Sequence, residues 1–185
     1  MLAMSRPPAA PRNSDRRQFV GEAEVLAALG VTVEELADPD VRSLVIRHEH
    51  PEFEDALKNR LDEIDVGDGP MNPRLHLAMH EIVATQMWDD SPPEVWETAL
   101  RLLDAGYERH EILHMLSRPV TDQVWGALHD EQPYDRERHV AALRALPGSW
   151  ENERVSRTST KRHNDARKQA RKNARAARRR SRRPS

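Results

Sequence analysis

The chain has 185 residues, with 29 Lys/Arg against 31 Asp/Glu for a net charge of −2, and no cysteine. The missing cysteines exclude disulfides and thiolate metal sites, so any ion must be held by His, Asp or Glu. The near-neutral charge hides a division: residues 157–185 hold thirteen Lys/Arg and one acid, Asp165, whereas the rest of the chain is strongly acidic.

No apolar run approaches the ~20 residues a helix needs to cross a bilayer. The opening MLAMSRPPAAPRNSDRR has prolines and charges where a signal peptide needs an apolar stretch. A cytoplasmic protein is expected. Residues 1–18, with Pro7, Pro8 and Pro11 among small and basic residues, read as a disordered arm. A helical domain is expected over 19–153 and a basic disordered tail over 154–185.

Within the domain, a helix over about Gly21–Leu29 stops at Gly30. Thr32 caps a short helix through Ala37, and Asp38-Pro39 opens the next, with Val41, Leu44 and Val45 as its stripe. Pro51 restarts the chain, and Phe53, Leu57, Leu61 and Ile64 predict one amphipathic helix before the turn Gly67-Asp68-Gly69-Pro70. Asn72-Pro73 is a cap followed by a first-turn proline, and predicts a helix to about Trp88. Its stripe His76, His80, Val83 and Met87 lies beside Leu75, Met79, Ile82 and Gln86. Ser91 caps a helix with Val95, Ala99, Leu102 and Leu103 inward, and Gly106 ends it. A further helix from about Tyr107 is expected to kink or break at Pro119, after which Val120, Val124, Trp125 and Leu128 continue the pattern. Arg136–Leu146 is the last helix, ended by Pro147-Gly148. No strand-like alternation of useful length is present. The fold class is all-α, a compact bundle of about six to eight helices with a disordered N-terminal arm and a basic tail.

Two histidine pairs stand out: His76 with His80, and His110 with His114. Residues four apart sit one helical turn above each other, so each pair offers two imidazoles on one face. Facing helices could place all four around one zinc, iron or manganese ion. Buried imidazoles without partners would cost about 1–3 kcal/mol each, and a metal satisfies them together. The bland reading is that they are partly exposed, or bonded to Glu81, Glu111 or Gln86. His110-Glu111-Ile112-Leu113-His114 also fits H-E-x-x-H, in which Glu111 would act as general base of a zinc-dependent hydrolase. Against that, the sequence predicts no strand to hold a peptide substrate. In Arg47-His48-Glu49-His50, His48 and His50 could add a ligand but more often mark a solvated turn, and His129, His139 and His163 read as surface residues.

The ordered series His50-Pro51-Glu52-Phe53, Asn72-Pro73-Arg74-Leu75-His76 through His80, Gln86, Arg101-Leu102 with Gly106, and Arg109-His110-Glu111 through His114 resembles a bacterial family, domain of unknown function 1841, over about residues 44–150. The resemblance implies a small helical domain in which His76, His80 and a histidine of the second pair are characteristic. It implies no established activity.

The tail offers Lys161, Arg162, Arg167, Lys168, Arg171, Lys172, Arg175, Arg178, Arg179, Arg180, Arg182 and Arg183 to a phosphate backbone. It has no aromatic residue to stack on bases, so RNA, DNA or ribosome contact without sequence readout is expected. The sequence therefore predicts a metal-binding helical domain with a nucleic-acid-contacting tail. Its competitors are a non-enzymatic RNA- or ribosome-associated protein with structural histidines, and a hydrolase using Glu111.

Overall fold

The computed structural model describes residues 13–65 and 69–156, with 169 and 172 as isolated positions. The chain divides into two compact units, Met1–Arg144 and Ala145–Ser185. In the second, residues 148–156 are helical.

The first unit contains α1 (Asn13–Gln18), α2 (Ala23–Leu29), α3 (Pro39–His48), α4 (Glu54–Lys58), α5 (Pro73–Asp89), α6 (Glu94–Asp104), α7 (Arg109–His129) and α8 (Arg136–Arg144). Short 3₁₀ turns occupy Glu34–Ala37 and Pro51–Phe53. Two-residue strands β1 (Ile64–Asp65) and β2 (Pro70–Met71) pair antiparallel, Ile64 opposite Met71. The all-α expectation holds, with this ladder as its minor exception.

Local chemistry explains most boundaries. The Asp38 side chain accepts from Asp40 N–H to start α3, and Asn72 Oδ1 accepts from Leu75 N–H at 3.0 Å to start α5. Gly30, at φ 66°, ends α2 as expected: Gly30 and Val31 N–H return to Ala27 and Leu26 carbonyls. A side chain at that φ would be strained, which is why glycine serves there.

Other expectations are corrected. The helix read from Pro51 to Ile64 ends at Lys58. Asn59 Nδ2 donates back to the Asp55 carbonyl, Arg60 turns left-handed at φ 54°, and Leu61 N–H closes onto the Ala56 carbonyl. That closure takes the left-handed geometry of a glycine stop without glycine, so periodicity alone missed it. Ser91 does not cap α6; its N–H bonds the Gln86 carbonyl, and Pro93 stands in the cap position. Leu103 is exposed, about 100° round the helix from buried Leu102.

The helix α7 runs unbroken through Pro119. Proline lacks the N–H that the Met115 carbonyl would receive, but buried Met115, Leu116 and Val120 anchor both sides. Trp125 and Leu128 are exposed, Trp125 lying about 140° round from buried Val120. His139, read as a surface residue, is 1% exposed. The final helix breaks after Arg144, short of the expected Leu146. The helix α1 reaches into the stretch read as an arm, and residues 1–12 lie outside the described residues.

The core forms where α5 packs on α7, with α3 against α5 and α8 against α6 and α7. Val83 and Met87 of α5 and Ile112, Met115 and Leu116 of α7 are buried there, with Leu102 of α6 and Leu143 of α8. Buried arginines tie the ends together. Arg16 donates to the Met87 and Trp88 carbonyls at the end of α5, and Arg42 donates to the Leu36 and Ala37 carbonyls. Both thereby satisfy carbonyls that a helix end leaves open.

Candidate metal centre

Both histidine pairs lie in the N-terminal halves of their helices, where the α5–α7 interface changes from aliphatic to polar. The helix start fixed by Asn72 puts His76 and His80 one turn apart, and the start of α7 at Arg109 does the same for His110 and His114. The helices do meet there. Ring centroids lie 5.0 Å apart for His76 and His114, 4.9 Å for His80 and His114, and 5.8 Å for His80 and His110.

A further histidine occupies the middle. His50 is 1% exposed, and its ring centroid stands 4.9 Å from His76, 4.7 Å from His80 and 4.9 Å from His110. Its position is local in origin. Pro51 follows it, disfavouring helical backbone, and His50 adopts φ −126° and ψ 60° just past the end of α3. Phe53 stacks on its ring at 5.3 Å and meets His76 edge-on at 5.0 Å, giving the cluster an apolar wall.

One nitrogen from each of His50, His76, His80 and His114 lies within 4.8 Å of the others. The set differs from the sequence expectation by one member: His50 takes the place assigned to His110. The sequence signal was His50-Pro51, a histidine held out of a helix by proline, which had read as a solvated turn. His48 takes no part; it is exposed and its Nδ1 bonds the Leu44 carbonyl at 3.0 Å.

The ring nitrogens divide in an informative way. His50 Nδ1 donates to Glu52 Oε1 at 2.9 Å, since an ionised carboxylate can only accept. That leaves the lone pair on His50 Nε2, which lies 3.3 Å from His80 Nδ1. This is longer than the usual hydrogen-bond distance. The Nε2 atoms of His76, His80 and His114 are buried with no hydrogen-bond partner. The carboxylates and amide that could have satisfied them do not. Glu81 accepts from Ser43 at 2.5 Å, and Gln86 Oε1 is itself without a partner.

Burial, reinforced by mutual repulsion, favours the neutral form of His76, His80, His110 and His114. Burial, then the neighbouring His114 and His50, pushes His76 down to about 3 from an ordinary 6.5. Burial, then His110 and His50, takes His114 down to about 4. His80 is lowered by burial and by His76, and His110 by burial and by His50. Glu52 is pushed up by burial, but its bond to His50 and the attraction of His50 and His110 hold it below the usual carboxylate value. Neutral imidazoles with free lone pairs are the form a transition metal takes.

A buried ion pair holds the two sides of the cluster in register. Glu49, whose side chain is 1% exposed, accepts from Arg109 Nη1 at 3.2 Å and Nη2 at 3.0 Å. Arg109 also donates to the Phe19 and Val20 carbonyls at 2.8 Å and 2.9 Å. Each partner is the chain neighbour of a cluster histidine, His50 and His110. Sequence reasoning passed over both, as it did Glu52, because nothing local marks a charge as buried.

Glu111 is half-buried, one residue past His110, and its carboxylate is not among the converging groups. Of the twelve tail residues offered to a phosphate backbone, only Lys172 falls within the described residues, where it is exposed; the other eleven lie outside them. Among the described residues, no helix is long and apolar enough to cross a membrane.

Fold and site together define a small helical protein built round a buried polyhistidine cluster. The family described as a domain of unknown function (DUF1841) matches residues 13–145, and the chain belongs to it. No curated protein and no solved structure matches the chain.

Proposed function

We propose that this domain binds one transition-metal ion through His50, His76, His80 and His114. The observation that carries the reading is the convergence of these four rings with three buried, unpartnered Nε2 atoms. Orphaned buried acceptors cost about 1–3 kcal/mol each. A fold that accumulates three at one point needs a compensating ligand, and a cation with open coordination positions is the ligand that imidazole lone pairs select. Four imidazoles suit zinc, copper, nickel or iron better than calcium or magnesium, which take oxygen ligands. Glu52 then does what carboxylates commonly do beside metal-bound histidines: it fixes the His50 tautomer and makes the opposite nitrogen more basic.

The reading in which the histidines are merely structural needs hydrogen-bond partners for these nitrogens, and the nearby Glu81 and Gln86 do not provide them. The test is elemental analysis of the purified, untagged protein beside His80→Ala and His114→Ala. About one equivalent of metal is expected in the wild type, with metal content and melting temperature falling together in both variants. Wild-type melting that is indifferent to chelator and to added zinc, in protein that contains no metal, would refute the proposal.

A further inference from the structure

The four-histidine set leaves one cluster histidine over. His110 stands 4.6 Å from His114, 4.9 Å from His50 and 5.8 Å from His80 by ring centroid, yet its nitrogens fall outside the converging group. It is less enclosed than two of its neighbours: His50 and His80 are 1% and 2% exposed, whereas His110, like His76 and His114, is only half-buried. Glu52, which bonds His50, has a half-exposed side chain, so the cluster is open to solvent there. The cluster therefore has a closed floor of His50 and His80, and a rim that includes His110.

The backbone beneath His110 is fixed. It belongs to the first turn of α7, directly after Arg109, whose guanidinium is held by Glu49 and two carbonyls. With the backbone held in this way, rotation of its own side chain is the motion that carries the His110 ring toward the cluster.

We propose that His110 is an exchangeable fifth ligand. It swings onto the ion held by the other four histidines and, when it swings off, leaves that ion four-coordinate. This deepens the metal reading above and rests on it. The consequence is a preference among metals. A closed four-nitrogen site suits zinc, which is commonly satisfied at four ligands. A fifth imidazole favours an ion that takes five or six, such as cobalt, nickel or ferrous iron. No bond within the protein forms or breaks; a single metal–nitrogen bond forms as the ring swings on and breaks as it swings off.

Cobalt(II) reads coordination number directly, because four-coordinate cobalt absorbs visible light several times more strongly than five- or six-coordinate cobalt. The full chain, stripped of metal and loaded with one equivalent of cobalt, is expected to absorb weakly. His110→Ala and His110→Asn should both retain one equivalent and absorb several-fold more strongly. Added imidazole should return the His110→Ala spectrum toward wild type. Competition should move toward zinc and away from nickel by about tenfold in both variants. Spectra unchanged by either substitution would overturn the proposal. So would loss of cobalt or of the fold in both variants, since His110 would then be a permanent ligand or a structural group. A wild-type protein that takes up no cobalt, zinc or nickel overturns the metal reading itself, an outcome distinct from the others.

Discussion

Replacing Arg109 by Ala isolates the ion pair that holds the two halves of the cluster together. In the folded protein the Glu49 carboxylate, 1% exposed, would keep only the Glu22 N–H at 2.7 Å. Leaving a buried charge without its partner costs about 3–5 kcal/mol. The Phe19 and Val20 carbonyls also lose their donors, at about 1 kcal/mol each where water cannot reach them. Arg109 itself is 19% exposed, so water should enter the vacated space and soften the loss. The expected total is about 4 kcal/mol, which lowers the melting temperature of a domain this size by roughly 10–20 °C. Urea unfolding of the chelator-treated protein at neutral pH, followed by circular dichroism, measures it, provided the denaturant slope stays constant. The double change Arg109→Met with Glu49→Met removes both charges and should recover most of the loss. A single-variant loss below about 1 kcal/mol, or a double variant no better than the single, would refute the view that desolvated charge dominates here.

Two further outcomes follow from the other buried polar groups. His76 and His114 are held down to about 3 and about 4, against 6.5 when unfolded. The unfolded chain therefore takes up protons first as pH falls, and stability of the metal-free protein declines with acidification. Urea midpoints should be level above about pH 6.5 and fall steadily from there toward pH 4. A level profile between pH 6.5 and 5 would contradict the burial of these rings. His139 is 1% exposed; neither ring nitrogen makes a hydrogen bond of full geometry, and burial lowers its pKa against the weaker hydrogen-bonding contact with the Pro119 backbone. His139→Leu should therefore stabilise the protein by about 1–3 kcal/mol, more below pH 6.5 than above it. Destabilisation in the same urea assay would mean that the ring is satisfied after all.

The sequence was most legible where a signal is local. Asn72-Pro73 marks the start of α5 because a side-chain acceptor and a residue without N–H answer two needs of a helix end within two positions. Gly30 marks a stop because only one backbone conformation is at issue. The i, i+4 spacing of His76/His80 and His110/His114 fixes which residues share a face in any helix. Legibility failed where the answer depends on a neighbour. Arg60 closes α4 in a conformation usually left to glycine, and Pro119 sits within α7 because packing on both sides holds the helix together.

The all-α class, the two histidine pairs and the split between an acidic body and a basic tail are properties of the one-dimensional chain, since each depends on residue type and spacing alone. Which histidines converge was decided only by the tertiary structure. His50 lies 26 positions before His76 in the chain, and no periodicity relates the two. Their rings meet because α3 packs on α5, Pro51 turns the chain inward, and the pairing of Glu49 with Arg109 holds that turn against the start of α7. Burial, which favours neutral rings at His76, His80 and His114 and leaves their Nε2 atoms without partners, is a property of the packed interior and has no signature in the order of residues.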